Sequence, residues 1–244
     1  MSGKIVIFGA TGGVGAASAR RLHAQGHALH LVARKADELE TLSNELNASS
    51  TCVDLAEAGA FTRVGEEAAQ GGALAGLIFA VGTINLKPVS RLTRADFEQD
   101  YHVNALWAAE AVQAALPALA VHEGGASVVL FSSVAAGQGF PNHASIGMAK
   151  AAVEGLTRAL AAELAPKVRI NCIAPSLTRT PLAAKLTANA QMADAIAGMH
   201  PLPRLGEADD LAGLATFLMS RDTTWMTGQV IAVDGGRSTL RVKG

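Results

Sequence analysis

The glycines of Gly9-Ala10-Thr11-Gly12-Gly13-Val14-Gly15 are the first residues whose types and spacing point to chemistry. They follow the apolar run Ile5–Phe8 and open a helix-length segment at 13–25. In that setting glycines permit a tight turn, let the backbone approach a pyrophosphate, and let the helix sit close on the sheet. The free N–H groups of the helix N-terminus then face the phosphates. Gly9, Thr11, Gly12, Gly13, Val14 and Gly15 are therefore expected to hold a dinucleotide. About 20 residues further on, a carboxylate would take the adenosine ribose of NAD. Here the second apolar run ends Val32-Ala33-Arg34-Lys35, with Ala33 in the acid's place and two cations after it. A guanidinium fork attracts a 2′-phosphate and a carboxylate repels it, so Arg34 and Lys35 predict NADP(H) over NAD(H).

Regular elements must position these groups. Short β-rich runs at Ile5–Phe8, Leu29–Ala33, Thr51–Val53, Gly76–Ala80, Ser127–Ser132, Arg169–Ala174 and Val230–Val233 alternate with helix-length segments at 13–25, 36–47, 57–70, 93–120, 143–164 and 207–220. Runs that are apolar throughout suit strands covered on both faces. The alternation predicts an α/β fold: one Rossmann-type, doubly wound parallel sheet of about seven strands, with helices on both faces. No linker or repeat divides residues 1–244, so a single dinucleotide-binding domain is expected. The stretch 176–203, edged by Pro175, Pro181, Pro201 and Pro203, departs furthest from regular alternation and is expected to be a mobile lid over the substrate.

More motifs follow in order. Asp54-Leu55 comes after the third strand, Asn104 sits in the fourth helix, and Ser132-Ser133 ends the fifth strand. Lys150 lies inside Ala149-Lys150-Ala151-Ala152-Val153-Glu154-Gly155-Leu156. Asn171-Cys172-Ile173-Ala174-Pro175 comes next, with Thr180 five residues past the proline, then Gly228-Gln229 and Val233-Asp234-Gly235-Gly236. From residue 4 to about 236 the chain resembles the short-chain dehydrogenase/reductase family. The resemblance implies that Asp54 and Leu55 meet the adenine and that Gly82, Pro175 and Thr180 line the cofactor. It further implies that Ser133 polarises a carbonyl, Lys150 holds the ribose hydroxyls, and Asn104 supports a water relay.

The chain departs from that family at the reacting position. The family pairs a tyrosine with a lysine four residues later, a spacing that puts both on one helix face. The lysine's charge lets the phenol exchange protons near neutrality. Four residues before Lys150 stands Ile146, which has no proton to give, and Ser133 keeps the family's thirteen-residue spacing to it. The related enoyl-acyl carrier protein reductases place the tyrosine seven residues before the lysine, where this chain has His143. Seven residues is about two helical turns, and an imidazole exchanges protons near neutral pH. The proton donor is expected to be His143 or water. The single tyrosine, Tyr101, is expected to pack in the core or between subunits. The family's Asn-Asn-Ala-Gly reads Phe79-Ala80-Val81-Gly82, a loss of amides expected to loosen the site, and Ser176 stands where the family has glycine after Pro175.

Other classes are excluded by composition. The 244 residues are 50% hydrophobic and 17% charged, which excludes a disordered chain. A net charge of −1, from 20 basic and 21 acidic residues, offers no footprint for nucleic acid or a membrane surface. Cys52 and Cys172 form no framework, and the seven histidines join no cysteine or carboxylate cluster, so no metal is expected. The start, Met1-Ser2-Gly3-Lys4 running straight into a strand, is read as cytoplasmic. Segment 176–203 carries few charges, Arg179, Lys185 and Asp194, so a neutral or apolar small-molecule substrate is expected. The resemblance adds a homodimer or homotetramer. The function expected is an NADP(H)-dependent oxidoreductase acting on a carbonyl, an alcohol or an activated alkene. The alternative is a non-catalytic NADP-binding protein, either a redox sensor or a partner subunit.

Overall fold

The computed structural model describes residues 3–241. Its strands are β1 (Lys4–Phe8), β2 (Leu29–Ala33), β3 (Ser49–Cys52), β4 (Leu74–Phe79), β5 (Ala126–Phe131), β6 (Val168–Pro175), β7 (Thr178–Arg179), β8 (Gly206–Glu207) and β9 (Val230–Val233). The α-helices are α1 (Gly13–Ala24), α2 (Ala36–Glu45), α3 (Ala60–Ala69), α4 (Arg94–Tyr101), α5 (Trp107–Leu119), α6 (Val134–Gly137), α7 (Ala144–Leu164), α8 (Ala184–Thr187), α9 (Ala190–Ala197) and α10 (Ala208–Met219).

Seven strands form one parallel sheet in the order β3-β2-β1-β4-β5-β6-β9. Side chains alternate between the faces of a strand, and both faces here are covered. Val6 and Phe8 join Leu77, Phe79, Val128 and Ile170 beneath α3, α5 and α7. Ile5 and Ile7 join Leu31, Ile78, Val129 and Ile173 beneath α1, α2 and α10. This two-sided burial is why the inner strands β1, β2, β4 and β5 are nearly continuous apolar runs rather than alternating, while the edge strand β3, Ser-Ser-Thr-Cys, is mostly exposed.

The seven expected strands are all present, with ends shifted by no more than two residues. The stretch 93–120 is not one continuous α-helix. A π-turn at His102–Leu106 separates α4 from α5. Thr93 starts α4 with a capping box, its side chain accepting from the Asp96 N–H while the Asp96 carboxylate accepts from the Thr93 N–H. Segment 176–203 holds α8, α9 and a 3₁₀ turn at Pro181–Ala183, and β7 pairs in parallel with β8. That short pair arises from two residues on each side and has no hydrophobic period by which a sequence could announce it. Among the described residues no helix is long and apolar enough to cross a membrane.

Candidate active site

Strand order reverses between β1 and β4, and a doubly wound sheet opens its ligand crevice at the carboxyl ends of the strands beside such a point. The glycine turn leaves β1 there. A Cβ at Gly15 would fall 2.2 Å from the Gly9 carbonyl oxygen, so only glycine lets α1 start this close to the strand. Gly12 caps α1 with no side chain. The first-turn N–H groups of Gly13, Val14 and Gly15 therefore lack a capping side chain, and such an end fits a diphosphate. Thr180 crosses over from beyond β6, its Cγ2 2.9 Å from where a Gly13 Cβ would sit, and Pro175 ends β6 at the same edge. Thr11 lies half-buried in the turn.

Arg34 and Lys35 follow β2, Lys35 as the N-cap of α2, and Asp54 and Leu55 follow β3. Lys35 is committed to Glu38 at 2.6 Å. The exposed Arg34 has no carboxylate within ion-pair distance among the described residues. Asp54 accepts from the Ala56 N–H at 3.0 Å, and Leu55 packs against the core beneath α3 and α5. Arg63, on α3, donates to the Cys52 carbonyl at 3.2 Å and brings a further cation to this rim. It lies far from Arg34 in sequence and carries no motif, so sequence reading missed it.

Lys150 is buried on α7, and its Nζ donates to the Phe131 carbonyl at 3.0 Å. A Cβ at Gly82 would lie 3.3 Å from that Nζ and 2.9 Å from Asn104 Oδ1, so the glycine admits both groups to the end of β4. Burial pushes the ammonium down to about 8, while the Asp100 carboxylate pulls the other way. Burial pushes the Cys172 thiol up to about 12, so it is a neutral neighbour at pH 7.

Asn104 sits inside the π-turn, a device common at functional sites. Its Nδ2 donates to Thr83 Oγ1 at 2.7 Å and to the Asp100 carbonyl at 2.8 Å, while its Oδ1 accepts from the Thr83 N–H at 3.2 Å. The Asp100 carboxylate accepts from Thr83 Oγ1 at 2.8 Å, Asn85 Nδ2 at 3.3 Å and Ser145 Oγ at 2.7 Å. This network ties the loop after β4 to α4 and α7. Thr83 and Asn85 thus anchor a loop that was expected to be loosened by the missing amides before Gly82. Asp100 went unnoticed in the sequence, although its spacing of four from Asn104 placed both on one helix face.

Ser133 begins α6, its Oγ accepting from the Ala135 N–H at 3.2 Å and donating to the Pro175 carbonyl at 3.4 Å. His143 begins α7, with Nδ1 2.7 Å from the Pro141 carbonyl. A carbonyl only accepts, so Nδ1 carries hydrogen and Nε2 is the nitrogen left to exchange a proton. Val14, Gly82, Ser133, His143, Ile146 and Lys150 all line one cleft of about 480 Å³. Ile146 is itself buried against it. Segment 176–203 forms an apolar wall with Leu182, Leu186, Met192 and Ile196. Arg179, Lys185 and Asp194 do not line the cleft, whereas Arg237, from beyond β9, does.

A family model described as "Enoyl-(Acyl carrier protein) reductase" matches residues 9–238. The chain is 30% identical to Dehydrogenase/reductase SDR family member 4 of Homo sapiens, over 95% of this chain and 86% of that protein. Among solved structures, a short-chain type dehydrogenase/reductase from Mycobacterium ulcerans superposes with a TM-score of 0.91 at 29% identity, covering 99% of this chain and 91% of that one. A gluconate 5-dehydrogenase from Burkholderia cenocepacia, in complex with NADP and tartrate, gives a TM-score of 0.90 at 26% identity, covering 98% and 96%.

Proposed function

Because this chain belongs to the short-chain dehydrogenase/reductase family, a family of oxidoreductases, we propose that it is an NADP(H)-dependent oxidoreductase of carbonyls, alcohols or activated alkenes. One observation carries the reading: Val14 of the uncapped glycine turn, the buried cation Lys150 and the hydroxyl of Ser133 all line a single cleft. When bound, the cofactor supplies or accepts the hydride.

The remaining work falls to the chain's own residues. Gly9, Thr11, Gly12, Gly13, Val14 and Gly15 take the diphosphate, with Thr180 beside Gly13 and Pro175 at the same edge. Asp54 and Leu55 border the adenine. Ala33 leaves no carboxylate to repel a 2′-phosphate, and unpaired Arg34, with Lys35 and Arg63 on the same rim, favours that phosphate. Lys150 holds ribose hydroxyls beside Gly82. Ser133 donates to the substrate oxygen. His143 Nε2, or a water supported by Asn104, moves the proton. An activated alkene tolerates a weak donor best, because its enolate can be protonated afterwards from solvent. Segment 176–203 closes over an apolar substrate body as a lid. The protein works in the cytoplasm as a homodimer or homotetramer.

Ile146 favours a second reading, an NADP-binding protein without turnover. Titration with NADPH and NADH, followed by NADPH oxidation against ketones, quinones and enones, separates the two. NADPH should bind at least ~10-fold tighter than NADH, with the gap lost in Arg34→Ala. Turnover that disappears in His143→Ala supports the shifted donor. Tight binding with no turnover on any substrate establishes the second reading instead, and equal affinities refute the NADP preference.

A further inference from the structure

One cation in the cleft remains after the cofactor and proton roles are assigned. Arg237 follows Gly235-Gly236 after β9 and enters the cleft half-buried. Its guanidinium lies over the Phe140 ring, 4.7 Å from the centroid. It donates to Ser176 Oγ at 3.4 Å and to Met199 Sδ at 3.6 Å. None of these partners carries a negative charge. Burial disfavours the charged guanidinium, and Asp234 offsets this in part. Asp234 is otherwise engaged: Oδ1 accepts from the Gly236 N–H at 2.9 Å and Oδ2 from the Ser238 N–H at 2.7 Å. A partly desolvated cation whose hydrogen bonds go only to neutral partners has room for an anionic ligand, which would relieve that desolvation.

The guanidinium is also held in place. Buried His200 donates from Nδ1 to the Ile196 carbonyl at 2.8 Å, so its Nε2 accepts from the Ser176 hydroxyl, also at 2.8 Å. That bond uses the only hydrogen of Ser176 and turns its lone pairs toward Arg237. The serine that departs from the family's glycine thus has a partner on each side. The same Phe140 ring packs against His143 at a steep angle, with centroids 5.4 Å apart. Guanidinium and imidazole therefore flank one ring in one cleft.

We propose that Arg237 is the substrate-carboxylate site and that the substrates are oxo acids or the corresponding hydroxy acids. This rests on the oxidoreductase reading. The carboxylate sits on Arg237, the apolar body lies against Leu182, Met192 and Ile196, and the reacting carbon faces Ser133 and His143. In the reductive direction hydride from NADPH adds to the ketone carbon and one proton adds to its oxygen. NADPH leaves as NADP⁺, and the carboxylate is unchanged.

The test uses the full chain loaded with NADP⁺, titrated calorimetrically with acetoacetate, levulinate and phenylpyruvate, each against its methyl ester. NADPH oxidation is followed on the same compounds. At least one acid should bind and turn over about 10- to 100-fold better than its ester, the range of a charge-assisted pair. Arg237→Gln should remove that ratio through KM while the ester and NADPH affinities hold, and Arg237→Lys should keep part of it. Equal handling of acids and esters by the wild type overturns the proposal, as does the absence of any acid binding. A loss of NADPH affinity in Arg237→Gln with the acid-to-ester ratio intact also overturns it, by assigning the guanidinium to the cofactor. Acid binding that Arg237→Gln abolishes, without NADPH oxidation, upholds the carboxylate site and sinks the oxidoreductase reading alone.

Discussion

Lys150→Met removes a buried ammonium while keeping a flexible side chain of similar length. The folded protein holds this ammonium with its pKa pushed down to about 8 by burial, against about 10.4 in an unfolded chain. At about 1.4 kcal/mol per pKa unit, keeping it charged costs the folded state about 3 kcal/mol at pH 7. The substitution also strips the Phe131 carbonyl of its donor at 3.0 Å, a loss of about 1 kcal/mol. The net expectation is a gain of about 2 kcal/mol, or about 4–8 °C in Tm for a chain of this size. The gain must depend on pH. Between about pH 8 and 10.4 the folded state has released the proton that the unfolded chain still holds, so wild-type stability rises with pH relative to the variant. Urea unfolding of both proteins without cofactor, at pH 7 and again near pH 10, measures this directly. The variant should lead at pH 7, the two should converge near pH 10, and the variant should not turn over. A variant less stable at pH 7, or a gap that stays constant with pH, refutes the reasoning.

Ile146→Tyr places a phenol on the cleft wall four residues before Lys150. It should raise NADPH oxidation by about 10²- to 10⁴-fold, the usual worth of a positioned acid. No gain in a folded variant that binds NADPH would mean the site does not lack a donor. His30 bonds Ser49 Oγ through Nδ1 and Thr51 Oγ1 through Nε2, both at 2.9 Å, and burial, with help from Lys4, pushes it down to about 4. Because the unfolded chain takes up this proton first, stability should fall by up to about 3 kcal/mol as pH drops from about 6.5 to 4. His30→Gln should flatten that slope in urea melts, and an unchanged slope would show that another group is responsible.

The sheet was legible because its inner strands, buried on both faces, leave apolar runs, whereas the edge strand β3 is the mostly exposed Ser-Ser-Thr-Cys, and because glycine is forced where α1 presses on β1. The reacting position was legible as an absence, since Ile146 stands at a fixed spacing from Ser133 and Lys150. What escaped were groups made neighbours only by folding. Arg237 and Ser176 lie 61 residues apart in sequence yet share a hydrogen bond. Thr83 and Asn85 took over the anchoring of a loop whose usual amides are missing, through Asp100, a residue with no motif of its own. The two-residue strands β7 and β8 carry too short a pattern for any period to appear.

The π-turn at His102–Leu106 does more than aim one amide. A turn with one residue too many resets the angular phase of everything that follows it. Before it, α4 packs on α7, and after it, α5 packs on α3. What reads as one rod is therefore two rods joined by a fixed rotation, each set to its own neighbour. Substitutions that retune the α4–α7 contact beside the cleft need not disturb the register of α5 on α3. The same stretch of chain can accommodate a changing contact with α7 at one end and an unchanging core at the other.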